Sequence, residues 1–186
     1  MLPALRAFLG LLALSACASV VPSTAARLAA FDPLTADPAA LELVLILPPG
    51  LAVTPGSARL DLSASRGRER RSGSFRLAER PVPPGIPLPK NATARGFAIA
   101  EADVARMRAL QAEIAVWKRE GSARGQFGLG IGGCAIGDAP APDARGSVLI
   151  RVDRDAAFLP LVADGRLSDL LGPEVLRAIK PCQAAE

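Results

Sequence analysis

The side chains in this 186-residue chain that could do chemistry are few, and their types exclude more than they allow. There are three cysteines (Cys17, Cys134 and Cys182), three lysines (Lys90, Lys118 and Lys180), and no histidine. Without histidine no Ser-His-Asp triad, Cys-His pair or histidine-ligated zinc centre can be built. A Ser-Lys arrangement needs a serine three residues before a lysine, and none of the three has one. Cys134 and Cys182 stand 48 positions apart, which is not a C-x-x-C redox motif. Paired carboxylates could cleave a glycosidic bond, and Asp153 and Asp155 are neighbours in sequence. Flanking Arg154 at the end of a strand, they read better as a solvated turn. Gly128-Leu129-Gly130-Ile131-Gly132-Gly133 formally satisfies G-x-G-x-x-G. The dinucleotide fingerprint needs a helix to begin among those glycines, and Gly137, Pro140 and Pro142 follow instead. No catalytic residue, metal ligand or cofactor is assigned.

The remaining chemical signal is basic. Between Arg59 and Arg124 there are fourteen Lys and Arg against seven Asp and Glu, while the flanking segments are weakly acidic. The densest part is Arg66, Arg68, Arg70 and Arg71. Guanidinium groups suit bidentate recognition of phosphate, so these four are candidates for an anionic-ligand patch; the other reading is a solvated hairpin tip. Nucleic acid is not an expected partner, because no aromatic residue lies within the cluster to stack bases.

An apolar run from Ala7 to Leu14 follows Arg6 and the amino terminus, and it is too short to cross a bilayer, which takes about 20 residues. A basic start, an apolar middle and a small-residue end are the zones of a secretory signal peptide. The run closes on Leu14-Ser15-Ala16-Cys17, which resembles the processing site of bacterial lipoprotein precursors at each of its four positions. The resemblance covers the first 17 residues only. It implies a signal peptide over residues 1–16, cleavage before Cys17, a diacylglyceryl group on the Cys17 thiol and acylation, typically with palmitate, of the new amino terminus. Two or more acyl chains make a stable anchor. Ala18, where an aspartate would stand for retention, resembles the pattern for export to the outer membrane, facing the periplasm. Ordinary secretion with a cut after Ala18 is the competing reading. With Cys17 assigned to lipid, Cys134 and Cys182 remain as a pair that an oxidising compartment would join. The loop so closed is worth roughly 4 kcal/mol in the chain-entropy model. Two separate buried thiols are the alternative.

The elements that must position these groups follow from periodicity. Residues 17–40, with Pro22, Pro33 and Pro38, read as a lipidated amino terminus and irregular tether, and residues 41–186 as a single globular envelope domain. Leu41 to Leu47 is a buried strand. Ala58, Leu60, Leu62 and Ala64 alternate with polar residues as in a half-buried strand, and Phe75 and Leu77 mark a partner reached by a long connection. Residues 81–96 hold five prolines and read as a loop. Val104, Met107, Leu110, Ile114 and Trp117 give an amphipathic helix over about 101–120. Phe127, Leu129 and Ile131 form an extended segment, with a bulge at Gly132-Gly133 restoring the parity of Cys134 and Ile136. Val148, Ile150 and Val152 make another strand, and residues 167–179 a terminal helix restarted at Gly172-Pro173.

The fold class expected is α+β: a mainly antiparallel sheet of about five or six strands, one long amphipathic helix and a C-terminal helix. A β-sandwich with an inserted helix is the alternative. The function expected is a non-catalytic binding or scaffolding module on a membrane-anchored envelope lipoprotein, its partners the membrane, another envelope protein or anionic lipid head groups. A carboxylate-dependent hydrolase of a glycan or cell-wall polymer is the second reading.

Overall fold

The computed structural model describes residue 34, residues 36–121 and residues 123–183. Strands β1 (Glu42–Leu47), β3 (Arg59–Arg66), β4 (Glu69–Arg80), β5 (Thr93–Ile99), β6 (Arg124–Gly130), β8 (Arg145–Arg151) and β9 (Leu159–Arg166) form one curled sheet in the order β6-β3-β4-β5-β1-β8-β9. Every neighbouring pair in it is antiparallel. Strands β2 (Leu51–Val53) and β7 (Gly133–Ala135) make a separate antiparallel pair. The class is α+β with a mainly antiparallel sheet, but its strands number nine among the described residues rather than five or six. Seven of them share one sheet, so the sandwich alternative is not what forms.

The apolar run of β1 explains its place between β5 and β8. Leu43 and Leu45 face the main core with Phe97 and Ile150, while Val44 and Ile46 are buried on the other side. A strand apolar on both faces belongs inside a sheet. Along β3, Leu60 pairs with Phe75 of β4 and Leu129 of β6, so three strands bring apolar side chains to one level of the core.

Between β3 and β4 the expected long connection is absent. The ladder runs to Arg66 opposite Glu69, leaving Gly67-Arg68 as a two-residue turn. Gly67 has φ 59°, and glycine at the first central position is what a type II′ turn needs to match the twist of its strands. The basic run is therefore mostly ladder.

Helix α1 (Glu101–Arg119) follows β5 directly and packs against β4. Met107, Gln111, Ile114 and Trp117 are its buried positions, at helical spacings of three and four. Glu101 and Asp103 in the first turn and Lys118 and Arg119 in the last complement its dipole. Two side chains clamp it to the sheet. Asp103 Oδ2 accepts the Arg76 backbone N–H at 2.6 Å, and Arg106 donates to the Ser74 carbonyl at 2.5 Å while lying over the Phe75 ring.

Regular structure is present before residue 41. Pro38–Ala40 form a 3-10 turn with Pro38 and Ala40 buried, and the Asp37 side chain accepts the Ala39 N–H. Gln111 Nε2 of the helix donates to the Ala36 carbonyl at 3.0 Å. The end of the expected tether is thus part of the folded unit. At the other terminus the helical stretch is two five-residue pieces, α2 (Leu167–Leu171) and α3 (Pro173–Arg177), divided by Gly172.

Candidate functional site

Cys17 and the leader lie outside the described residues. Among the described residues no helix is long and apolar enough to cross a membrane, and no cluster of three metal-ligating side chains occurs.

Cys134 and Cys182 are joined, with Cα atoms 4.8 Å apart. The chain on either side is tied as well. The Ala135 N–H donates to the Lys180 carbonyl and the Cys182 N–H to the Ala135 carbonyl, both at 2.8 Å, so Pro181 bridges β7 in parallel. The residues after α3 are thereby fixed along β7 by two hydrogen bonds and one covalent bond.

Beside this junction lies an apolar cleft of about 1120 Å³, at or above the upper end of the roughly 300–1,000 Å³ usual for small-molecule sites. One wall is sheet, with Leu45, Leu47 and Val148 from β1 and β8 and Leu129 from β6. β2 and β7 also line it, with Leu170, Leu171 and Val175 of α2 and α3, and the disulfide. Leu171 and Val175 are 42% and 54% exposed at its margin. Behind them Leu51, Leu167 and Leu176 form a small buried cluster that seats the two helices. Among the described residues no carboxylate lines the cleft, and Lys180 is the one ionisable residue on its lining. Two smaller depressions, one between α1 and β6 and one under the 83–87 loop, also lack carboxylates on their walls.

The arginines of the basic run are divided by strand alternation. Arg66 and Arg71 turn toward α1, their guanidinium carbons 4.8 and 4.9 Å from the centroid of the Trp117 ring. Arg66 pairs with Glu69 at 3.0 Å and with Glu120, and Arg71 pairs with Glu113 at 3.4 Å. The hydrogen bond to Glu69 raises the Arg66 pKa above its ordinary value. Arg70 instead reaches Ser63 Oγ at 3.3 Å, and Arg68 sits exposed in the turn without an ion pair among the described residues. Of the four, the structure brings Arg66 and Arg71 together, on one indole and next to three carboxylates.

The carboxylates singled out in sequence do not face a cleft. Asp153 Oδ1 accepts the Asp155 N–H at 3.2 Å and the Asp153 carbonyl accepts the Ala156 N–H, so the first acid serves a turn. The glycine-rich stretch is not one bulged strand. The chain leaves the large sheet after Gly130 and joins the small one at Gly133, with Ser57 Oγ accepting the Gly132 N–H at the crossing. The change of parity at Cys134 thus comes from a change of sheet.

Sequence reading missed the cleft. Its one local signal was the crowding of Leu167, Leu170, Leu171 and Val175 into pieces too short to bury a helical stripe. No family model, curated protein or solved structure matches the chain.

Proposed function

We propose that this chain is an envelope lipoprotein, anchored through Cys17 at the periplasmic face of a bacterial outer membrane, whose folded part is a non-catalytic binding module. The observation that carries the binding reading is the apolar cleft, large, open and, among the described residues, without a carboxylate on its walls. Clefts of that composition hold ligands by burial rather than by transforming them. The hydrolase reading needs two carboxyl groups about 5–10 Å apart across a cleft. Asp153 is committed to a turn, and the three depressions offer no acid pair. Exposed Arg68 and Arg70 at the β3–β4 tip give such a module a contact for anionic head groups or for another envelope protein.

The anchoring half is tested in cells. Wild-type protein should fractionate with membranes, carry the added mass of acyl groups and incorporate labelled palmitate, and Cys17→Ser should lose all three. Unchanged mass and fractionation in Cys17→Ser would reject the lipoprotein reading. The binding half is tested by crosslinking in intact cells, where a specific partner or ligand recovered on wild-type protein supports it. Purified protein that cleaves cell-wall glycan and loses activity when an acidic residue is replaced would favour the hydrolase.

A further inference from the structure

The cleft's chemistry narrows what it can hold. Its walls are predominantly hydrocarbon, with Thr54, Ser147, Lys180 and Gln183 the polar residues among them, and the aliphatic side chains of Leu171 and Val175 are exposed. Apolar surface gathered in a concavity is favourably covered by another apolar surface. An extended peptide would bring an N–H and a C=O per residue into a space that offers few partners, and unpaired polar groups there are costly. Of the two hydroxyls that line it, Ser147 already accepts the Asp164 N–H at 3.0 Å. An aliphatic chain carries no such groups.

Charge supplies the second constraint. Among the described residues Lys180 is the one ionisable residue on the lining; it is exposed, and its backbone carbonyl is fixed by the Ala135 N–H. A lysine whose backbone is held at an apolar cleft, with no acid among the described lining residues, complements one anionic head group. The cleft volume of about 1120 Å³ suits a lipid chain better than a small polar metabolite.

We infer that the cleft takes the aliphatic chain of an anionic amphiphile, a fatty acid or an acidic phospholipid, with the head group held at Lys180. This rests on the binding-module reading and names the ligand class of that site. The Cys134–Cys182 bridge, as part of one wall, holds the cleft in its receptive shape.

The test uses the full chain carrying Cys17→Ser, oxidised and free of detergent. Oleate binding is followed by calorimetry, and uptake of labelled phosphatidylglycerol by its transfer between vesicles, so the two arms separate a free fatty acid from a membrane lipid. Saturable binding in either arm is expected. Val175→Glu and Leu171→Glu, at exposed positions that leave the melting temperature unchanged, should abolish it. Lys180→Glu should weaken oleate about tenfold and, relative to wild type, improve binding of dodecyltrimethylammonium, a cationic amphiphile with a shorter saturated tail. No saturable binding in either arm, binding indifferent to Val175→Glu, or equal oleate affinity in Lys180→Glu would each overturn the inference. Because anchoring is read separately in cells, an anchored protein that takes up no amphiphile would sink this inference and leave the lipoprotein reading standing.

Discussion

The guanidinium carbon of Arg66 lies 4.8 Å from the centroid of the Trp117 ring, and the same arginine pairs with Glu69 and Glu120. Sheet, turn and helix end therefore meet on one side chain. Removing the buried ring in Trp117→Ala should cost roughly 3–5 kcal/mol of unfolding free energy, as for other large aromatic truncations. Arg66→Ala should cost clearly less than that, and Arg71→Ala, with one carboxylate instead of two, less still. Urea unfolding of the three variants gives the order, and an Arg71→Ala effect larger than that of Arg66→Ala would contradict this account.

Acid should loosen the seat of α1. The hydrogen bond from Arg106, and next the Arg76 backbone N–H, hold the Asp103 carboxyl below its ordinary value of 3.8. The hydrogen bond from Arg108 does the same for Asp37, on the 3-10 turn beneath the helix. A depressed folded pKa contributes stability that is complete above the unfolded value, near 4, and is lost as pH falls through the folded one. Urea midpoints from pH 6 to pH 2 should therefore fall below about pH 4 in the wild type. Asp103→Asn should be less stable at pH 6 and decline less steeply; parallel curves would show that this carboxylate does not drive the acid loss.

The disulfide should matter for stability independently of any ligand. Disulfides typically contribute about 2–4 kcal/mol, with this loop length at the upper end of that range, or on the order of 5–15 °C in melting temperature for a chain of this size. Cys134→Ala combined with Cys182→Ala should melt lower by that margin and become insensitive to reductant. Identical melting of the wild type with and without reductant would remove the case for the bridge.

Two glycines with similar backbone angles should respond differently to a methyl group. Gly67 has φ 59° and open space where a Cβ would stand, so Gly67→Ala carries the left-handed penalty alone, roughly 1–2 kcal/mol. Gly50 has φ 81°, and its Cβ would sit 2.7 Å from the Asp138 carbonyl oxygen. Backbone there cannot swing aside as a side chain can, so Gly50→Ala should cost clearly more. Thermal melts of the pair decide it, equal losses being the contrary result.

Much of the antiparallel sheet was legible, because burial on one face writes a period of two into the residues themselves. Ala58, Leu60, Leu62 and Ala64 alternate and are all at most 2% exposed. The strands that escaped notice were short or carried misleading residues. Strand β2 has three residues between the Gly50 turn and Pro55, too few to show a period. Strand β5 begins at Thr93, inside the stretch set aside for its prolines, although all of those prolines precede it. Strand β9 contains Pro160 and still pairs, because an edge strand loses little by lacking one donor. The cleft was illegible for a different reason. Its walls come from β1, β2, β6, β7, β8, β9, α2 and α3, and no local pattern records which distant segments will enclose a space.

All nine strands precede Cys182 in the chain, and its sulfur partner lies in β7. Covalent closure therefore cannot come until every described strand has been synthesised, and any thiol that captured Cys134 during that interval would have to be displaced by exchange. Residues that complete the lining of the cleft emerge after every described strand, so a chain cut short before Cys182 would contain all of those strands and lack the covalent tie between Cys182 and β7.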